Sequence, residues 1–89
     1  MGGRPDALEA FANERCSDPR PWSNGPGETY GRHAHGYHKV LFCLGGSITF
    51  HMDEADVTLE AGDRLDLEPG TEHGATVGLA GCSCIEASR

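Results

Sequence analysis

From Glu28 onward the chain is broken into short runs rich in β-branched, aromatic and aliphatic residues, and nearly every run is closed by a turn signal. Gly45-Gly46, Asp53-Glu54-Ala55-Asp56, Ala61-Gly62-Asp63 and Pro69-Gly70-Thr71 all combine residues suited to reversal. Glycine enters positive φ freely, proline presets φ, and aspartate bonds its own backbone. A segment cut this often leaves no room for long helices. The runs predict strands at 28–30, 37–44, 47–52, 57–59, 64–67, 74–77 and 82–87, with a tight hairpin at Gly45-Gly46 and another at 53–56. Such a series closes into an all-β sandwich or small barrel.

The N-terminal part reads differently. Asp6 followed by Glu9 has the spacing of a capping box, and Leu8, Phe11 and Ala12 follow at helical intervals, which predicts a short helix over about 7–15. Pro19, Pro21, Gly25, Pro26 and Gly27 then argue for irregular chain, with Trp22 among them as a hydrophobic plug. The expected division is a lead-in over 1–27 and a barrel over 28–89.

With 89 residues and 37% apolar content, the sequence has enough for one domain. A chain this short buries only about 60–68% of its unfolded surface, so a homodimer is the expected assembly. A formal charge of −7, from 7 basic and 14 acidic side chains, repels phosphate backbones and excludes electrostatic binding to nucleic acid or anionic membranes. The apolar run Val40 to Leu44 is far short of the roughly 20 residues of a membrane span. Four cysteines are too few for a disulfide scaffold, and no basic start precedes an apolar stretch; the expected compartment is the reducing cytoplasm.

The chemistry lies in the histidines. His33 and His35 stand two apart beside a strand, where alternate side chains face one way, and His73 follows the turn at 69–72, where a returning strand can bring it alongside. Three imidazoles suit zinc, iron, nickel, cobalt or copper and leave positions open for water or substrate. The stretch from His33 to Phe50, HAHGYHKVLFCLGGSITF, resembles the first conserved motif of the cupin superfamily. Gly62-Asp63 followed by Pro69 and His73 resembles the second, with glycine and histidine eleven apart and the proline displaced by one position. Motifs and intervening segment cover about 28–77. The resemblance implies a double-stranded β-helix, or jelly roll, with His33, His35 and His73 as ligands of a divalent transition metal (Zn, Fe, Ni, Mn, Co or Cu).

One departure stands out. The fourth ligand position of the family, usually a glutamate, holds Lys39, and a protonated lysine has no lone pair to give and repels a dication. Three arrangements are open: a three-histidine site, resembling those of cysteine dioxygenase and the diketone-cleaving cupins, with Lys39 turned to an acid such as Glu86; a metal-free cationic pocket for a carboxylate or phosphate; or a bulge that turns His38 inward as a fourth donor.

If the strand runs straight, Tyr37 and Lys39 share the cavity face with His35, ahead of Leu41 and Cys43, while Val40, Phe42 and Leu44 bury the opposite face against the N-terminal segment or a second subunit. Tyr37 and Lys39 are the candidate catalytic groups, supplying a proton or a charge to a small-molecule ligand, and Tyr30 is placed at the pocket mouth. Cys43, Cys82 and Cys84 read as core, His38 and His51 as surface, and Asp53, Glu54 and Asp56 as a solvated turn rather than a calcium loop. No nucleophile elbow, P-loop or dinucleotide fingerprint occurs. The function reads as an oxygenase, isomerase or lyase acting on a small molecule, with a non-catalytic ligand-binding or sensor module as the alternative.

Overall fold

The computed structural model describes residues 3–89. Along them run α1 (Arg4–Asn13), β1 (Ser17–Asn24), β2 (Thr29–His33), β3 (Lys39–Met52), β4 (Asp56–Glu60), β5 (Arg64–Leu67) and β6 (His73–Ser88). No helix among the described residues is long and apolar enough to cross a membrane.

The frame is the antiparallel pair β3 and β6, in register from Lys39↔Ser88 to Met52↔His73. Each long strand changes its outer partner halfway along. At one end β6 pairs with β2 and β3 with β4; at the other end β6 pairs with β1 and β3 with β5. One ribbon therefore serves two four-stranded sheets, β2-β6-β3-β4 and β1-β6-β3-β5, and its bend turns them face to face as a double-stranded β-helix.

Glycine makes the bend. Gly46 (φ 66°) and Gly81 (φ 77°) adopt left-handed backbone, and the ladder shifts register on both sides of Gly45-Gly46. Any Cβ at Gly46 would collide with the Gly81 carbonyl oxygen. The hairpin expected at Gly45-Gly46 is therefore corrected: the chain does not reverse there but passes through a bulge, so 37–44 and 47–52 become one strand, as do 74–77 and 82–87. The glycines that would permit reversal equally permit a bulge, and a long partner ladder decides between them. The bulge flips the alternation, so Leu41 and Cys43 before it and Ile48 and Phe50 after it all reach the same core, with Leu59, Ala75, Val77, Cys82 and Cys84.

The other face of β3 and β6 carries Val40, Ile85 and Ala87, which pack with Ala7 and Phe11 of α1; Phe42 and Leu44 lie against this cluster. The expected burial by the N-terminal segment holds, through a helix displaced from its expected bounds. It starts at Arg4 with Gly3 as N-cap, and no side chain caps it; Pro5 occupies the first turn, where its missing N–H costs nothing. Asp6 thus lies inside the first turn, near the positive end of the helix dipole, rather than at the cap. Leu8 is 40% exposed, and the buried stripe is Ala7 and Phe11.

The irregular chain expected from Pro19 to Gly27 is also corrected, since β1 runs through Pro19 and Pro21. It is an edge strand, pairing only with β6 and with a register shift between Ser17 and Arg20. At an edge the N–H that proline lacks has no ladder partner to lose.

Candidate metal centre and its cavity

His33 closes β2 and His73 opens β6, and the two are register partners, with Met52 of β3 on the far side of His73. His35 follows where the chain leaves the sheet. Ring centroids lie 4.4 Å apart for His33 and His73, 4.9 Å for His33 and His35, and 5.4 Å for His35 and His73. One ring nitrogen from each falls within 4.8 Å of the others, a spacing that could hold a metal ion. The third imidazole, forty residues from the first pair, is brought to them by the β2–β6 ladder.

Hydrogen bonds orient two of the rings. His33 Nδ1–H donates to the Gly31 carbonyl at 2.8 Å and His73 Nδ1–H to the Thr71 carbonyl at 2.9 Å. A carbonyl oxygen only accepts, so Nδ1 carries the proton in each ring and Nε2 keeps its lone pair, the arrangement that fixes tautomer and direction in metal-bound histidines. His35 Nε2 is buried and has no hydrogen-bond partner. An orphaned buried nitrogen is costly unless something binds it, and a metal ion fits this donor set. Burial pushes the His35 imidazole below its ordinary pKa, and Lys39 and the other two imidazoles add to the shift. Burial also lowers His73, against the opposing bond to Thr71. The neutral, donating forms are favoured.

Beside the histidines opens a cavity of about 210 Å³. His33 and His73 form one wall, Trp22, Tyr30, Phe50 and Ala75 an apolar surround, and Lys39 and Glu86 the polar remainder. The Lys39 Nζ to Glu86 Oε1 distance is 3.3 Å, with the side chains only 12% and 18% exposed. Trp22 Nε1–H donates to the same Glu86 oxygen at 2.9 Å. The acid nominated for Lys39 is thus its partner. Trp22 is half-buried and packs on the core, as a plug would, but it also shapes the cavity and fixes Glu86, a role no local signal disclosed.

Other expected residues separate. His38 does not turn inward; its Nε2–H donates to Asp66 Oδ2 at 2.9 Å. Tyr37 is 39% exposed and packs against the His35 ring at 5.2 Å, outside the cavity lining. The chain is irregular from 34 to 38, so alternation does not carry from His35 to Lys39. Leu41 and Cys43, expected to shape the cavity, lie in the core beneath it, and Tyr30 does line it. Cys43, Cys82 and Cys84 are buried free thiols, as read, and burial raises the pKa of Cys43 and Cys84. His51 is partly exposed and pairs with Asp56.

A β-helix built on one bent ribbon, with three clustered histidines at its mouth, is cupin architecture. The chain belongs to the cupin domain family, whose model matches residues 22–78. Among solved structures it is similar to a cupin superfamily protein of Desulfitobacterium hafniense (TM-score 0.72, 16% identity, 79% of this chain and 63% of that one). It is also similar to a predicted oxalate decarboxylase of Thermotoga maritima (TM-score 0.72, 26% identity, 90% and 70%). A third is the DMSP lyase DddQ of Ruegeria pomeroyi (TM-score 0.74, 21% identity, 80% and 36%). The chain thus spans less than two thirds of the first and third of these proteins. No curated protein matches it in sequence.

Proposed function

We propose that this chain is a small metal-binding cupin in which the Nε2 atoms of His33, His35 and His73 hold one divalent transition metal, and that it acts on a small molecule as an oxygenase, isomerase or lyase. The observation that carries this reading is the partnerless buried Nε2 of His35, set beside two rings whose Nδ1 atoms are already committed. Similarity to a predicted oxalate decarboxylase at 26% identity supports small-molecule chemistry in such a barrel. When bound, the metal supplies a Lewis acid with open positions.

The protein's own groups divide the remaining work. Trp22, Tyr30, Phe50 and Ala75 exclude water, Lys39 offers N–H donors at the cavity wall, and Tyr37 steadies the His35 ring. The pairing of Lys39 with Glu86 weighs against the metal-free anion pocket, because the ammonium already has a counter-ion. A cytoplasmic homodimer completes the proposal, and light scattering tests the dimer. Elemental analysis of protein purified without a histidine tag tests the centre. Stoichiometric metal is expected, and none in His33→Ala; no metal in either would end the reading.

A further inference from the structure

We infer that Lys39 is the specificity-determining residue of this site: held by Glu86, which Trp22 fixes in turn, it makes the site select a small carboxylate, which supplies the negative charge that the protein withholds from the metal. This rests on the metal reading above and deepens it. An imidazole nitrogen brings no negative charge to a metal, and no carboxylate joins the three rings among the described residues. A dication held only by imidazoles carries uncompensated charge, which favours an anionic ligand in the open positions.

The one acid lining the cavity cannot fill that role, because Glu86 Oε1 accepts from Trp22 Nε1 and faces Lys39 Nζ, so its charge is spent on the lysine. Lys39 occupies the chain position where the family's usual glutamate would add a protein charge. Paired with Glu86 it adds no net charge, so nothing in the protein offsets the dication and the ligand has to bring the anion. The ammonium carries three N–H donors, and among the described residues only Glu86 pairs with it, so two remain for a ligand at the wall it lines. A cavity of about 210 Å³ lies below the roughly 300–1,000 Å³ of drug-sized sites, so the ligand is a carboxylate of a few carbons with a short apolar body.

The test is calorimetric titration of zinc-loaded protein with lactate and with its neutral amide, lactamide, with zinc content measured on the same samples. The parent is expected to bind lactate at least about tenfold more tightly than lactamide, and Lys39→Met to keep the share due to the metal but to lose a severalfold share of that preference, as hydrogen bonds to charged groups are worth about tenfold or more. Equal binding of the two probes by zinc-loaded parent, or an undiminished preference in Lys39→Met, overturns the inference alone. A parent that takes up no zinc overturns the metal reading together with it. Glu86→Gln supplies an independent arm should Lys39→Met fail to fold: it frees the lysine charge while keeping an acceptor for Trp22, and lactate is expected to bind severalfold more tightly. Unchanged or weaker lactate binding by zinc-loaded Glu86→Gln also overturns it.

Discussion

Two clusters of charge lie on opposite faces of the β1-β6-β3-β5 sheet. Inside, Lys39, Glu86 and Trp22 form a compact group lining the cavity, with the ion pair less than one fifth exposed. Outside, Arg64 bonds Glu14, the C-cap of α1, at 2.7 Å and Asp66 at 2.6 Å, Arg89 approaches Glu14 at 3.5 Å, and His38 joins through Asp66. The Arg64 guanidinium also lies over Phe42, which packs edge-on against Phe11. Both clusters join elements distant in sequence. Solvent screens the outer one, so it steadies a helix whose docking comes from Ala7 and Phe11; the inner one is shielded, and each member depends on its partners.

The sharpest way to break this contrast is Glu86→Leu. It leaves a shielded ammonium unpaired and is expected to cost about 3 kcal/mol in urea unfolding, most of which the double variant Lys39→Met with Glu86→Leu recovers. A double variant no better than the single one would refute mutual dependence. Next in size is metal removal. A sample loaded at about a hundredfold above its Kd is stabilised by about 2.7 kcal/mol, so chelation should lower its melting temperature; unchanged melting counts against the histidine centre.

The outer cluster should respond mainly to acid. Arg64, bonded to Asp66, holds that carboxyl at about 2. Because the folded value lies below the unfolded one, this stabilisation is complete above about pH 4 and disappears as pH falls toward 2. Discounted for screening, it amounts to about 1 kcal/mol, and Asp66→Asn should flatten that part of the pH–stability curve. The smallest effect is expected from Glu14→Gln, and molar salt should reproduce most of it in the parent.

The histidines add a separate pH window. His35 and His73 are depressed, so the unfolded chain takes up protons more readily, and metal-free protein should lose stability as pH falls below about 6.5. Bound metal should hold the rings neutral and move that loss to lower pH. Melting curves from pH 7.5 to 5 with and without zinc would show it, and two coincident curves would not fit.

Much of this was legible residue by residue. The β texture, the reversals at 53–56 and 61–63, β5 at its observed bounds and the histidine set could all be read, because turn residues and side-chain alternation act over a few positions. Lys39 could be paired with Glu86 because an inward lysine needs an acid and the last strand offered one. Gly45-Gly46, β1 and Trp22 were not legible. Local chemistry allows glycine to bulge or to reverse, and it does not say whether a proline-bearing run finds an edge to lie on.

The linear order of residues was enough to settle which groups carry the chemistry, since three imidazoles and a lysine have the same donors and charges in any fold. What surrounds them came from the folding of the whole chain. The ladder between β2 and β6 set His33 beside His73, and the bend at Gly46 and Gly81 brought two sheets over one cavity. Burial then left His35 Nε2 without a partner and enclosed Lys39 with Glu86 and Trp22. Register and burial arise from pairings between residues dozens of positions apart, and no local stretch of chain encodes them alone.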